Sequence, residues 1–523
     1  MLPSAVRIRT MLVLNLAFIM ERADEAVLPA AFKFIGAAMG ATPTQLGQIT
    51  LSRALVQAAS SPMAGLLGDR LDRVHLVATG CLLWAACTAA IGMSTTLTQM
   101  MVCSGANGLG LALVIPATQS LVADLYPPEA RGRAFGFLLL FSGMGGFAGF
   151  LATSLGGQRP YGIEGWRVVF YIVAAVSAVV GCIVALLAAD PRRRAKDERN
   201  AANGGWRWAV THARGMLRDI GLVLRIRSFQ ILILQGIVGS MPWIAFGWLT
   251  LYMQMLGFSD FMAASMVAMF GAGCCLGSFL GGAIGDLFSR RWVDNGRIVA
   301  AQLSVCFTFP TTIALLRWLP LDPPGGMASV KVLYGGFLFL MGSTISWSGT
   351  NNSAMFAEIV PEQLRSAVYA FDRSFEGAVG ATGAPLVGLV AERVFGFAGA
   401  VGREGADLDN ARALGNSLLF CWLLPFFCCF LFYFGLYFTL PADRERGREL
   451  GRQMAAAAGG PEAGRGLARL YHSKNSFCVL NSGSYADVLD ALHGPEVPAG
   501  NGNFSKAQKR WCERARGWFP NRR

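Results

Sequence analysis

Four ionisable residues crowd into the five-residue stretch Glu21-Arg22-Ala23-Asp24-Glu25, with mainly apolar sequence on either side. Carboxylates set beside a guanidinium suit two kinds of chemistry. The acids can take up and release a proton, and the arginine can hold an anion or a deprotonated acid. At ~100° per residue on a helix the four side chains fall within an arc of ~160°. One face can therefore look into a wet interior while the other meets lipid or neighbouring helices. Arg22 reaches Glu25 at i+3 and adjoins Glu21. The competing reading is a static salt-bridge network that joins helices.

Three other groups invite the same question. Asp372, Arg373 and Glu376 fall within ~100° of one another on a second helical stretch, and Arg53 stands alone in a third. The run GSTISWSGTNNSAMF at 342–356 brings together Trp347, Asn351 and Asn352, which offer stacking and amide hydrogen bonds to a solute. The plainer alternative is that its Ser, Thr and Asn side chains satisfy adjacent helices. Trp243 and Trp248 also offer stacking, although aromatics in such segments more often pack or anchor.

The elements that must position these groups are membrane helices. The 523-residue chain is 54% hydrophobic and 15% charged, whereas soluble domains are about 25% charged. Apolar runs recur from end to end and give twelve spans: 10–36, 45–67, 74–95, 97–124, 132–156, 166–189, 228–256, 261–285, 297–317, 329–359, 365–392 and 413–440. The expected fold is all-α and polytopic. Met11–Met20 is too short to cross a bilayer alone, so span 1 takes in the charged stretch near mid-membrane. A charge at a span centre costs ~2.5–3.5 kcal/mol on insertion scales. Such groups persist when they pair or face a cavity.

Arg22, Arg53 and Arg373 lie inside spans. The N-terminus, even-numbered loops and C-terminal stretch hold 34 of the 45 Lys and Arg, against eight on the opposite side. The positive-inside rule then puts both termini in the cytoplasm. The net charge of +13 reads as topology and calls for no nucleic-acid partner.

An internal repeat divides the spans into two halves. Gly65, Asp69 and Arg73 of GLLGDRLDRV return as Gly282, Asp286 and Arg290 of GAIGDLFSRR, with Arg291 following. Asp124, Pro127 and Arg131 of ADLYPPEARGRA return as Glu358, Pro361 and Arg365 of AEIVPEQLRSAV. Two six-span parallel repeats are a transporter architecture. The expected domains are a six-helix bundle at 1–189, a basic linker at 190–227, a second bundle at 228–440 and a mostly disordered tail at 441–523.

These motifs carry a family resemblance. Over roughly residues 8–440 the chain resembles the major facilitator superfamily, whose G-x-x-x-D-[RK]-x-G-[RK]-[RK] loop stands here as Gly65, Asp69, Arg70 and Arg73. Asp72 replaces the inner Gly and Val74 the last basic residue. NLAFIMERADEAVLPA and FAEIVPEQLRSAVYAFDRSFEG are similar to the spinster-like branch and its plant and algal relatives, where Glu21–Arg22 matches an acid–Arg pair. The resemblance implies a central cavity lined by spans 1, 4, 7 and 10. It also implies motif loops whose carboxylates close the cytoplasmic side by meeting a helix N-terminus or an arginine. Ser104 stands where many relatives carry an Arg, and Leu111 where spinster-like proteins often have a Glu, so no proton relay is carried over through span 4. GMGGFAG at 143–149 lacks the proline that marks antiporters in span 5, which leans toward symport or facilitated diffusion.

In the linker, Arg207, Arg214, Arg218 and Arg225 form a stripe ~40° wide opposite Trp206, Ala213, Met216, Leu217 and Leu224. The pattern suits a helix on an anionic leaflet, or equally a solvated linker. No Walker A sequence, serine-hydrolase elbow, HExxH site or CxxC pair occurs, which speaks against an enzyme, a metal and a cofactor. The resemblance implies a secondary transporter, proton-coupled and acting as a monomer in the bilayer. Its solute would be small and organic or amphiphilic and lipid-like, as the spinster-like resemblance implies, and anionic, as Arg22, Arg53 and Arg373 suggest. A facilitative uniporter and a non-transporting receptor or scaffold of the same fold are the alternatives.

Overall fold

The computed structural model describes residues 3–126, 137–138, 141–191, 221, 224–360, 376–402 and 407–458; within these, the side chains of 62–66, 68–70, 123, 161, 450 and 452–458 are left aside. Arg131, Arg365, Asp372, Arg373, the linker positions Trp206 to Arg218 and the tail beyond 458 lie outside the described residues. Met1–Gly451 form one compact unit and Arg452–Arg523 a second. All the spans belong to the first.

Every regular element among the described residues is helical. The bilayer dictates this outcome, because backbone N–H and C=O groups in hydrocarbon must be satisfied within their own segment. Among the described residues, eight helices are long and apolar enough to cross a membrane, at the positions of spans 3, 4, 6, 7, 8, 9, 10 and 12. Span 1 (Ser4–Ala30) and span 2 (Pro43–Arg70) are as long. Span 1 falls short in apolarity because it carries the charged stretch, and span 2 because it carries Gln48, Thr50, Ser52 and Arg53. Of spans 5 and 11 the structure shows the helical pieces Gly146–Gly156 and Gly383–Arg393.

Spans 1, 7 and 10 are interrupted. Span 1 breaks at Ala31, two residues past Pro29, and resumes as Phe32–Met39. Span 7 runs Arg227–Ala245, takes a 3-10 turn at Phe246–Trp248 after Pro242, and ends as Leu249–Met255. Span 10 breaks at Ser346 between Lys331–Ile345 and Trp347–Ile359. A proline removes one i→i−4 bond and crowds the preceding turn, which accounts for the first two breaks. The last helix, Leu408–Ala458, continues well past residue 440, where span 12 was expected to end. Leu224 and Arg225, expected on the linker helix, instead form a turn. There the Leu224 carbonyl accepts from Gln230 Nε2 at 2.7 Å, just ahead of span 7.

The packing follows the repeat. Span 2 lies along span 4 and span 3 along span 4; in the second half span 8 lies along span 10 and span 9 along span 10. Between halves, span 2 packs on span 11, span 5 on span 8, and span 1 on span 7. Exchanging each span for the one six places on maps this cross-half set onto itself, which is the pseudo-two-fold relation expected of two repeated bundles. Among the described residues, the helical segments of spans 1–6 and 7–12 thus form two related sets.

Candidate functional site

The charged stretch of span 1 is met from three neighbouring helices. Arg53 of span 2 points its Nη1 at Asp24 Oδ2, 3.5 Å away, and its Nη2 at Glu25 Oε1, 4.0 Å away. Thr88 of span 3 donates to Asp24 Oδ1 at 2.5 Å, and Asn107 of span 4 donates to Thr88 Oγ1 at 3.0 Å. The close approach of spans 2 and 4 depends on Gly108, where a Cβ would sit 2.3 Å from the Arg53 carbonyl. Asp24 is buried, whereas Arg22 and Glu25 have about half their side-chain surface open. Arg22 bonds Glu25 at 2.5 Å and lies 3.7 Å from Glu21. The expected i+3 pairing within the stretch is present, and the stretch divides in two. Asp24 is fixed to its own bundle by Thr88 and Arg53, while Glu21, Arg22 and Glu25 form a group on the span that the same Arg53 reaches through Glu25.

Thr88 and Asn107 were not anticipated from the sequence. The signal was there in principle, since a lone Asn in an apolar span needs a partner, but nothing in the sequence said that the partner was Asp24. Ser104, at the position where relatives carry an Arg, donates to the Ile49 carbonyl at 3.1 Å and joins spans 2 and 4. Leu111 is buried.

The second half divides the span-10 polar run between two directions. Trp347 packs its edge on Phe307, and its backbone lies against Gly281 of span 8. Asn351 is fully buried and donates to the Gly281 and Trp347 carbonyls at 3.0 and 2.9 Å, which ties span 10 to span 8. Asn352 faces the other way. It donates to Gln235 Oε1 of span 7 at 2.7 Å and accepts from the Tyr433 hydroxyl of span 12 at 2.9 Å. Gln235 and Tyr433 were not anticipated. Glu376 lies against span 7, its carboxylate over Gly236, and its carbonyl accepts from Ser240 Oγ at 3.0 Å. Trp248 is buried and donates to the Ala384 carbonyl at 3.1 Å, while Trp243 is partly exposed beside Phe246 and Phe270.

Comparison with known proteins decides the family. The Major Facilitator Superfamily profile matches residues 14–384. The chain belongs to the Major Facilitator Superfamily. Membership points to a membrane transporter rather than an enzyme. Its fold resembles a crystal structure described as a bacterial homolog to human lysosomal transporter, Spinster, in inward-facing and unoccupied conformation. That likeness has a TM-score of 0.68 at 18% identity and covers 84% of this chain and 99% of that one. The D-xylose-proton symporter structure aligns with a TM-score of 0.56 at 14% identity, over 79% of this chain and 97% of that one. Among curated proteins, Multidrug resistance protein 3 of Bacillus subtilis is 27% identical over 166 residues, 32% of this chain and 31% of its own length. Quinolone resistance protein NorA of Staphylococcus aureus is 24% identical over 172 residues, 32% of this chain and 41% of its own length. The chain spans less than half the length of these curated relatives.

Within this superfamily fold the motif loops hold one arginine between acids in each half. Arg73, almost fully buried, bonds Asp124 at 2.6 Å, Asp190 at 2.5 Å and Ser120 Oγ at 2.7 Å. In the second half Arg297 bonds Asp286 at 2.8 Å and Glu358 at 3.0 Å, and Arg444 bonds Glu358 at 2.6 Å. The arginine that opens the span after the second motif is therefore Arg297, while Arg290 and Arg291 lie at the end of span 8. Gly282 lies near Thr350 of span 10. Asp190, Arg297 and Arg444 were not singled out from the sequence. Gly65, Asp69 and Arg70 lie in the last turns of span 2.

Proposed function

We propose that this transporter carries a small amphiphilic solute with an anionic group, together with a proton, by rocking its two halves around the span-1 site. The observation that carries the reading is a charge mismatch. Among the described residues, three carboxylates, Glu21, Asp24 and Glu25, face two guanidiniums, Arg22 and Arg53. Asp24 and Glu25 each have an arginine and a further contact, while Glu21 has Arg22 at 3.7 Å. In a low-dielectric site an uncompensated charge is expensive. One proton on Glu21 restores neutrality.

The same arithmetic couples an anion to a proton. Arg22 is half open, and an anionic group that engages it displaces Glu25. Glu25 keeps Arg53, whereas Glu21 loses its one arginine to the solute and carries the proton, so solute and proton move together. Asn352 and Gln235, on spans 10 and 7, supply amide groups for the uncharged part of the solute. Names among the relatives and fold neighbours, a multidrug resistance protein and a proton symporter, support an amphiphilic solute and proton coupling. The lysine and arginine bias supports cytoplasmic termini for the bundles at 1–189 and 228–440.

The test uses purified protein in liposomes offered a whole metabolite and lipid extract, with and without an inward proton gradient, for wild type and Glu21→Gln. Accumulation that needs both the gradient and Glu21 supports the reading. Uptake indifferent to both makes the protein a uniporter with a structural charge cluster. No uptake by folded protein favours a receptor.

A further inference from the structure

Asp24 is buried, and its arginine stands off from it. Arg53 Nη1 lies 3.5 Å from Asp24 Oδ2, whereas a charge-assisted bond closes to about 2.7–2.9 Å. Arg53 Nε is buried with no hydrogen-bond partner, so the guanidinium is seated on neither Asp24 nor Glu25. The short contacts of Asp24 are neutral. Thr88 of span 3 donates to Oδ1 at 2.5 Å, and the Asn107 amide of span 4 interacts with the same carboxylate. Thr88 and Asn107 are fully buried. Asn107 Oδ1 has no hydrogen-bond partner, although buried polar atoms are normally paired.

Such a set suits a small cation. A half-turn of the Asn107 amide puts Oδ1 where Nδ2 stands, and Thr88 Oγ1 carries a second lone pair. Asp24, Thr88 and Asn107 then offer three oxygens from spans 1, 3 and 4, the donor type that hard cations take. The contacts joining them, 2.5 and 3.0 Å, make the set compact and favour sodium over potassium. One carboxylate among the donors favours a single charge over two.

The charge count at the loaded site asks for that cation. The count rests on the reading above, in which Glu21 carries a proton and an anionic group takes Arg22. Asp24, Glu25 and the solute then set three negative charges against Arg22 and Arg53. Glu25, released by Arg22, draws Arg53, and Asp24 is left with its neutral partners. An uncompensated carboxylate within a span is costly, and one monovalent cation on Asp24 removes the deficit. We propose that Asp24, Thr88 and Asn107 form a sodium site that fills as the solute binds. Asp24 supplies the charge, and the other two supply the geometry.

The test measures radiosodium binding to the purified protein in detergent, with choline chloride holding the ionic strength constant. It is run with and without a sodium-free extract that supports uptake in liposomes. Wild type should bind saturably, and the extract should raise the affinity. Asn107→Leu and Thr88→Val each remove one oxygen and should weaken binding about tenfold or more, as when a group supporting a bound ion is lost. Thr88→Ser keeps the oxygen and should bind like wild type. Gel filtration and melting temperature confirm that each variant is folded. No saturable binding by folded wild type in either condition would overturn the site, as would binding that Asn107→Leu and Thr88→Val leave unchanged. Liposome uptake scores the proton reading separately. Gradient-driven uptake that needs Glu21 and is indifferent to sodium refutes the sodium site alone. Sodium binding without gradient-driven uptake refutes proton coupling alone.

Discussion

Arg73 and Asp190 stand 117 residues apart and meet side by side, with Arg73 Nε and Nη2 donating to the two carboxylate oxygens at 3.0 and 2.5 Å. The Arg73 backbone N–H reaches the same carboxylate at 3.1 Å. The start of span 3 is therefore fastened to the end of span 6, and Asp124 of span 4 occupies the remaining Nη1.

Removing one partner of a buried pair leaves the other charged without compensation, at a cost of about 3–5 kcal/mol. Asp190→Ala should approach the lower end of that range, because Asp124 still faces Arg73. The exposed pair Arg412–Asp409 provides the contrast, and Asp409→Ala should change stability by no more than about 1 kcal/mol. Denaturant unfolding in detergent checks both. Equal losses in the two variants would mean that the Arg73 site is wetter than its burial indicates.

Thr88→Val keeps the shape of the side chain and removes the hydroxyl that donates to Asp24. Hydrogen bonds to charged groups contribute about 1.5–3 kcal/mol, so the variant should lose stability of that order. Thr88→Ser, which keeps the donor, should recover most of it. A Val variant as stable as wild type would show that Asp24 is held by Arg53 alone.

Gly145 and Gly146 are neighbours with opposite tolerances. A Cβ on Gly145 would lie 2.3 Å from the Ile19 carbonyl of span 1 and 2.6 Å from the Arg22 Cβ, while one on Gly146 meets nothing within 4 Å. Gly145→Ala should therefore cost about 1–3 kcal/mol through overpacking. Gly146→Ala should be neutral or add up to about 1 kcal/mol through helix propensity. Thermal melts of the two single variants decide this, and a reversed order would place span 5 at a different rotation against span 1.

The features legible in the sequence are those whose signals are local. The span-1 charges and the i+3 contact of Arg22 with Glu25 depend only on helical period, and the structure shows both. The repeat was legible because Gly-x-x-x-Asp returns in both halves. It could not show that Arg297 takes the place of Arg73, because the connection between spans 8 and 9 is longer and moves the arginine beyond Arg290. Partners across helices were out of reach for the same reason. Thr88, Asn107, Gln235 and Tyr433 are ordinary polar residues in their own spans, and their roles arise only when helices converge. Asn351 and Asn352 were read as a pair, yet adjacent residues on a helix point about 100° apart, so one joins span 8 and the other faces span 7.

Arg444 lies beyond the apolar part of the last helix and still belongs to the bundle. It donates to the Val293 carbonyl at 2.9 Å and to Glu358 at 2.6 Å, while the adjacent Asp443 accepts from the backbone and hydroxyl of Ser228 at the start of span 7. The point at which the tail is removed should therefore matter. A chain ending at residue 458 keeps all of these contacts and should melt and transport like the full-length protein. A chain ending at residue 442 loses both side chains, and with them the acceptor at the start of span 7 and one of the two arginines on Glu358. It should be less stable by several kcal/mol, given about 1–3 kcal/mol for each buried polar group left unpaired. Arg444→Met should reproduce part of that loss in the full chain. Melting temperature and liposome flux are measured together on all three. Normal melting with abolished flux in the 458-residue chain would give the tail a role in transport that its distance in sequence from the span-1 site does not suggest.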